Sequence, residues 1–278
     1  MYLELEKAST WFKANKLTLN VDKTKFMLFS DRDVNLQSLG NKLQIGNQII
    51  EQIGNKCKEK YFRFVGHVLD DKFSWEGHVQ HICKKLSSAN FAINSTKNFM
   101  PLQIRKTLYH TLFDSHLNFG ILLWGCANNK FTKKVENLQK KCIRNVFLSG
   151  YKSHTQPIFK KLGILNFKDK VTLLRSEFMN QYRNNKLPES FTNKFTDITC
   201  TDQLQTRHND YNYLNIPAIK KSLESFPFKC MIKTWNSLSI DAKSTADKDE
   251  FQNVLKRELL YKYSSDFKCG EVRCYSCS

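Results

Sequence analysis

Residues 61–98 contain the change of pattern that decides the fold, and they read YFRFVGHVLDDKFSWEGHVQHICKKLSSANFAINSTKN. Tyr61 to Leu69 is rich in aromatic and β-branched residues and is predicted to be one strand that contains Gly66. Asp70-Asp71 follows as a turn. Residues 75–98 then place apolar side chains three and four positions apart, which predicts an amphipathic helix. The chain therefore passes from strands to helices near this turn.

The residues before this border also show signs of short strands. Residues 1–15 have helical spacing, whereas Lys25 to Phe29 is predicted to be a short buried strand. Lys42 to Ile53 alternates polar and apolar residues around Gly46-Asn47, which indicates a hairpin.

The residues after the border have mostly helical spacing. Pro101 suits the start of a helix that turns Ile104, Leu108 and Leu112 inward. A third helix is predicted from about Lys130, with a stop at Gly150 and five residues inward: Phe131, Val135, Leu138, Cys142 and Val146. Weaker helical patterns follow at residues 171–182 and, after a capping box formed by Asp247 and Glu250, from Phe251 onward. Four aromatic residues sit in patterns typical of a core: Phe62, Phe64, Tyr109 and Trp124.

These patterns together predict an α+β fold class. Short strands and hairpins occupy residues 1–72, a helical region follows over 73–150, and a mostly helical C-terminal segment runs over 151–278. Residues 200–215 are polar and poor in aliphatic side chains, so they are predicted to be a loop or linker.

The charge balance favours a polyanionic partner. Lysine and arginine number 44 against 26 acidic residues, which gives a net charge of +18. Nucleic acid is the polyanion we expect, because each neutralised phosphate releases condensed counterions. Anionic membrane surfaces would also attract the chain, but no apolar stretch of about 20 residues could span a bilayer. Nine scattered cysteines indicate reduced thiols and an intracellular protein that is not secreted.

An ordered series of motifs runs along the chain. The first is W-x3-N-K-L-x-L-N-x2-K-T, formed by Trp11, Asn15, Lys16, Leu17, Leu19, Asn20, Lys23 and Thr24. Further motifs lie at Tyr61–Asp70, Trp75–Lys85, Leu108–Trp124, Leu162–Leu165, Leu187–Phe191 and Trp235–Leu238. The series resembles the C-terminal part of the reverse transcriptases of jockey-like retrotransposons, which lack long terminal repeats. Ser239 stands where the last motif normally has proline.

The resemblance implies an RNA-directed DNA polymerase. Its partners would be an RNA template, a DNA primer and their hybrid, and Mg²⁺ would serve the complete enzyme. Residues 1–72 would be the edge of the palm and residues 73–150 the thumb. The family's catalytic aspartates would precede Trp11, so the chain is expected to be a truncated form without catalysis of its own.

Two sites of the family are expected to survive as vestiges. Lys23 corresponds to a lysine near the incoming nucleotide, where a cation could stabilise the leaving phosphate. It could equally be an ordinary turn residue. Phe64, Val65 and Gly66 correspond to the element that grips the primer.

Three groups of residues invite a metal interpretation. Asp70-Asp71 is the one Asp-Asp pair of the sequence, and we expect it to be a solvated turn rather than a catalytic pair. Together with these aspartates, His67, His78 and His81 could form a metal cluster, but a structural or exposed role is favoured. Near the C-terminus, three cysteines could supply zinc thiolates, or they could belong to a frayed tail: Cys269, Cys274 and Cys277.

Residues 130–144 form the most basic stretch of the helical region. The stretch contains Glu136 and six cations: Lys130, Lys133, Lys134, Lys140, Lys141 and Arg144. On a helix with the opposite face buried, these cations would project to one side and could bind phosphates irrespective of base sequence. The alternative is an ordinary solvated surface.

Three functions follow as hypotheses. The first is a truncated reverse transcriptase that retains nucleic-acid binding. The second is a non-enzymatic nucleic-acid-binding protein domesticated from such an element. The third is the product of a decayed element with no function, which would fold poorly because its first strands have uncovered edges.

Overall fold

The computed structural model describes residues 2–30, 43–45, 48–54, 56–195, 213–216 and 226–265. The chain divides into two compact units, Met1–His81 and Ile82–Ser278. Within the described residues, the strands all belong to the first unit, while the second unit is built from helices. This arrangement agrees with the α+β class.

The first unit combines one helix with short strands. Its elements are α1 (Tyr2–Ala14), β1 (Lys25–Met27), β2 (Gln44–Ile45), β3 (Gln48–Ile49), β4 (Glu51–Ile53), β5 (Phe62–Phe64) and β6 (His67–Leu69). The strands pair as three two-stranded sheets, with β1 parallel to β4 and the other two pairs antiparallel. The β2–β3 pair confirms the predicted hairpin for residues 44–49, whereas residues 51–53, which the prediction included, form β4 and pair with β1.

The β5–β6 pair corrects the prediction of one strand over residues 61–69. Val65 and Gly66 both have positive φ angles, 44° and 80°, and they reverse the chain so that Phe64 pairs with His67. Two consecutive positive φ angles are the signature of a tight two-residue hairpin turn, and glycine is the residue that tolerates this conformation best. Gly66 therefore marks a turn and not the interior of a strand.

The second unit is built from helices of very different lengths. The helices from α2 onward are α2 (Glu76–Thr96), α3 (Leu102–Leu108), α4 (Ser115–Asn118), α5 (Ile121–Trp124), α6 (Asn129–Phe147), α7 (Gln156–Leu162), α8 (Phe167–Arg183), α9 (Pro227–Asn236), α10 (Ile240–Ser244) and α11 (Lys248–Ser265). A π-helical segment, Tyr109–Asp114, joins α3 to α4. Helices on both sides of residue 150 pack against one another, namely α6 against α7 and α8.

The buried face of the α3 region is not the predicted one. Ile104 and Leu112 are exposed, whereas Tyr109, Phe113 and Leu117 are fully buried. The apolar residues of this stretch allow two stripes one position apart. The stripe that faces the core carries Tyr109 and Phe113, whose rings stack with their centroids 5.4 Å apart.

Tyr109 and Trp124 were correctly predicted as core residues. The Trp124 ring stacks on that of Phe167 at 5.5 Å, and its indole Nε1 donates a hydrogen bond of 2.8 Å to the Phe119 carbonyl. The same prediction for Phe62 and Phe64 was wrong, since their exposed fractions are 36% and 59%. A two-stranded hairpin has no second layer to cover both of its faces.

Helix boundaries follow the local capping chemistry. Asp247 Oδ1 accepts hydrogen bonds from the backbone N–H groups of Asp249 and Glu250, which confirms the predicted start of α11. These N–H donors also lower the pKa of Asp247. At the end of α6, Leu148 takes the left-handed conformation (φ 58°), so the helix stops two residues before the predicted Gly150. The linker predicted over residues 200–215 lies mostly outside the described residues.

A buried amide holds α6 against the core. Gln139 Nε2 donates to the Tyr109 hydroxyl at 2.9 Å and to the Leu165 carbonyl at 3.0 Å. The Gln139 side chain thus joins three segments of the second unit, and burial raises the pKa of Tyr109 well above its usual range.

We expect Gln139→Leu to lower the free energy of unfolding by about 2–3 kcal/mol, because Tyr109 and Leu165 would keep buried polar atoms without their shared donor. Urea unfolding measures the loss, and adding Tyr109→Phe should recover part of it. Asn137→Ala, on the exposed side of the same helix, is the control and should change stability by less than about 0.5 kcal/mol. An equally small effect of Gln139→Leu would contradict the prediction.

Candidate nucleic-acid interface

Helix α6 separates polar and apolar residues on opposite sides. Its N-cap residue Asn128 accepts a hydrogen bond of 2.9 Å from the Lys130 backbone N–H, which fixes where the helix begins. The inward side of α6 is formed by Thr132, Val135, Gln139, Cys142, Ile143 and Val146. This distribution confirms the predicted helix and the inward position of Val135, Cys142 and Val146. Phe131 and Leu138, which were also predicted to face inward, are only half-buried.

The outward side of α6 is strongly basic. Five lysines project from it, and all are exposed: Lys130, Lys133, Lys134, Lys140 and Lys141. With 3.6 residues per turn, they fall within an arc of about 120° and extend over roughly 16 Å of helix axis. We call these five residues the lysine face.

The charge of the lysine face is not neutralised by neighbouring carboxylates. Among the residues that the structure describes, none of the five lysines has a carboxylate within 4.0 Å. Glu136 lies on the same helix, but it pairs with Lys168 of α8 at 3.6 Å. The face therefore presents uncompensated positive charge to solvent, which is what a phosphate backbone would contact.

Arg144 differs from the five lysines because its side chain forms a hydrogen bond that stabilises the fold. Its Nε donates a hydrogen bond of 2.8 Å to the Ser153 carbonyl, which ties the loop after α6 to the helix. Burial lowers the pKa of the Arg144 guanidinium. The side chain lies at the C-terminal end of the lysine face. Its Nε–H group is bonded to this loop and is not available to a phosphate.

A cavity of about 440 Å³ opens beside the lysine face. Lys140 is part of the lysine face and also lines the cavity. The other lining residues include Lys168 and the buried aromatic rings of Phe159 and Phe167. Sequence reasoning missed this cavity. Its walls come from α6, α7 and α8, which converge only in the folded unit, and no local sequence pattern marks it.

Asp70 has a structural role: the expected turn is present, but the expectation that it is solvated was wrong. Asp70 and Asp71 are both buried. Asp70 Oδ1 accepts from the backbone N–H groups of Lys72 and Ser74 at 3.1 and 3.0 Å, and Oδ2 accepts from the Ser74 hydroxyl at 2.9 Å. These bonds hold a turn in which Phe73 has a positive φ of 49°, a strained conformation for an aromatic residue.

The histidines near this turn pack against one another. His78 is fully buried, and its Nδ1 accepts a hydrogen bond of 3.3 Å from the Val68 N–H. The His67 ring stacks on His78 at 5.1 Å between centroids, and Trp75 contacts His78 edge-on at 5.9 Å. In the parts of the chain that are described, no group of three His, Cys, Asp or Glu residues could hold a metal ion.

The remaining candidate residues lie in separate places. Lys23 is exposed in the 3₁₀ turn Val21–Lys23, where its N–H donates to Asn20 Oδ1 at 3.1 Å. Val65 is 75% exposed at the tip of the β5–β6 hairpin, beside Phe64 and Gly66. Three cysteines lie outside the described residues: Cys269, Cys274 and Cys277.

Comparison with known proteins gives no relative, since no family model, curated protein or solved structure matches this chain. Within the described residues, no helix combines the length and apolar character needed to cross a membrane.

We expect Asp70→Ala to destabilise the first unit by about 1–2 kcal/mol, because it removes the shared acceptor of three partly buried donors in the turn. Asp70→Asn should be milder, since its amide oxygen can replace Oδ1. Hydrogen exchange of peptides from residues 60–80 reports the change, with the exposed Asp22→Ala as control. Equal losses for the Asn and Ala variants would show that the negative charge, and not the acceptor, matters.

Proposed function

We propose that this chain corresponds to the C-terminal part of a retrotransposon reverse transcriptase without long terminal repeats, and that it binds template–primer nucleic acid through the lysine face. The observation that carries the binding proposal is the set of five uncompensated, exposed lysines on one side of α6. An RNA–DNA hybrid or other duplex is the proposed partner, and the cytoplasm or nucleus is the proposed compartment.

Such a face would bind the nucleic-acid backbone and not the bases. Lysine ammonium groups act as mobile point charges and contact phosphates without reading sequence. Each phosphate that they neutralise releases condensed counterions, so affinity should fall steeply with salt. The net charge of +18 would add long-range attraction of the same sign.

The reverse-transcriptase assignment rests on the ordered motifs between Trp11 and Leu238. We propose that these 278 residues do not polymerise DNA by themselves. The side chain of Asp70, in the one Asp-Asp pair of the sequence, is engaged in a turn. Magnesium and deoxynucleotides would serve the complete family enzyme, whose paired carboxylates align the primer end and the incoming nucleotide.

Reversing three charges of the lysine face should weaken binding. For Lys133→Glu, Lys140→Glu and Lys141→Glu combined, we expect roughly 10- to 100-fold lower affinity for an RNA–DNA hybrid near 0.1 M salt. The slope of log K against log salt should become shallower by about 2–3, one step for each lost phosphate contact. Fluorescence anisotropy of a labelled hybrid measures both quantities.

A second triple variant separates local from global charge. The exposed residues Lys186, Lys256 and Arg257 lie outside α6, so replacing all three with glutamate changes the net charge equally. This control should keep most of the affinity and of the salt slope. If both triple variants lose affinity to the same extent, the lysine face is not the binding site.

Primer extension tests the catalytic part of the proposal. With magnesium, deoxynucleotides and a primed RNA template, the chain is expected to incorporate no nucleotide, because the Asp70 carboxylate is hydrogen-bonded within the turn. Magnesium-dependent extension that Asp70→Asn abolishes would contradict the proposal directly.

Lys23 lies outside the lysine face, so Lys23→Ala should leave the affinity for the hybrid unchanged.

A further inference from the structure

The cavity beside the lysine face has the size of a small-molecule site. Its volume of about 440 Å³ is typical of pockets that hold a ligand as large as a nucleotide. Its walls come from α6, from α7 and α8, and from the residues directly before these last two helices. Helix α6 packs against both α7 and α8. Because the walls belong to packed helices, the cavity exists before any ligand binds.

Gln139 supplies a buried acceptor to this cavity. The side chain lines the cavity and is only 1% exposed. Its Nε2 donates to the Tyr109 hydroxyl and to the Leu165 carbonyl, and a carbonyl can only accept, so the amide nitrogen must lie on that side. Gln139 Oε1 accepts no hydrogen bond from any residue that the structure describes. Buried oxygens are normally satisfied, so a ligand with an N–H group would complete this one.

Thr155 supplies a second buried polar atom. It lines the same cavity, directly before α7, and is 7% exposed. A threonine at this position commonly caps the helix with its side chain, but the Thr155 hydroxyl forms no such bond. It has no other hydrogen-bond partner within the described parts of the chain. A hydroxyl can donate as well as accept, so it can bond to a ring nitrogen, a carbonyl or an N–H group of a ligand.

The rim of the cavity carries a net positive charge. Lys140 lies where the lysine face meets the cavity, and no carboxylate of the described residues lies within 4.0 Å of its ammonium group. Glu136 also lines the cavity, but its carboxylate pairs with the Lys168 ammonium at 3.6 Å, so these two charges largely offset each other. A phosphate group at the rim would therefore be attracted to Lys140.

Two aromatic rings are held in place along the walls. The Phe167 ring stacks on that of Trp124 at 5.5 Å between centroids, and the Phe159 ring lies edge-on to that of Tyr263 at 6.3 Å. Both phenylalanines line the cavity and are almost fully buried. Aromatic walls combined with a few polar groups favour a planar ligand that has hydrogen-bonding groups on its edge.

We propose that this cavity binds one unpaired nucleotide, with the phosphate on Lys140 and the edge of the base on Gln139 Oε1 and the Thr155 hydroxyl. Each nucleobase has an N–H donor on its pairing edge, and only an unpaired base can offer that donor to a protein acceptor. The inference rests on the proposed function, because Lys140 also belongs to the lysine face. The nucleotide would come from the end of a bound strand or from solution.

Hybrids with an overhang test the proposal on the full chain. Fluorescence anisotropy compares a blunt RNA–DNA hybrid with the same hybrid extended by one nucleotide at either end of one strand, and with an abasic residue at the same positions. We expect one of the nucleotide overhangs to raise the affinity by roughly 5- to 20-fold over the blunt hybrid. The abasic residue keeps the phosphate and should give no comparable gain. Equal gains from the two kinds of overhang would contradict the proposal, because the phosphate alone would explain them.

Thr155→Val separates ligand binding from folding. Valine has the shape of threonine without the hydroxyl, and that hydroxyl has no bond to lose among the described residues, so the midpoint of thermal unfolding should not fall. The variant should lose most of the gain from the overhang and keep its affinity for the blunt hybrid. Thr132→Val is the matched control, since Thr132 is a buried threonine of α6 that does not line the cavity. This control should keep the gain.

Free nucleotides separate this proposal from binding by the lysine face. Isothermal titration calorimetry with each of the four ribonucleoside monophosphates reports on the cavity without a duplex. A gain from the overhang alone identifies a strand end as the source of the nucleotide, and monophosphate binding that Thr155→Val weakens identifies a free nucleotide, even if no hybrid binds. The proposal fails if Thr155→Val changes neither the overhang gain nor monophosphate binding. Blunt-hybrid binding would then still support the lysine face.

Discussion

The hydrogen bond from Gln139 to the Tyr109 hydroxyl fixes the rotation of α6 more closely than its apolar residues do alone. Gln139 lies among the apolar residues of α6, and its amide reaches both Tyr109 and the Leu165 carbonyl. An unpaired amide at this depth would be costly, so the rotation of α6 about its axis is closely specified. With that rotation fixed, the five lysines lie on the outer side and Lys140 reaches the rim of the cavity.

Asp70 of the first unit has a structural role, although its position next to Asp71 suggests a metal-binding pair. Adjacent aspartates are what a polymerase uses to hold two metal ions. Here the oxygens of Asp70 are hydrogen-bonded to the Lys72 and Ser74 N–H groups and to the Ser74 hydroxyl, and they stabilise a segment with a strained backbone. Burial alone does not distinguish the two uses; the acceptor pattern within the turn does.

Patterns that extend over several turns were predicted well, whereas choices between neighbouring positions were not. Helix α6 was identified, together with three of the residues on its buried face, because its apolar and basic residues separate over five turns. Around α3 the apolar residues permit two faces, and stacking of Tyr109 on Phe113 selects the one that the spacing of Ile104 and Leu112 did not suggest. Val65 and Gly66 were assigned to a strand, because a turn without Asn or Asp gives only a weak local signal.

The amino-acid sequence by itself determined the basic character of the chain, the border between strands and helices, and the segregation of lysines on one helix. These properties depend on composition and on local periodicity, which the linear order contains in full. Only the tertiary structure decided that Asp70 is buried and that α6, α7 and α8 line a cavity. Such properties depend on contacts between residues that are distant in sequence, and these contacts exist only once the core has fixed how the helices pack.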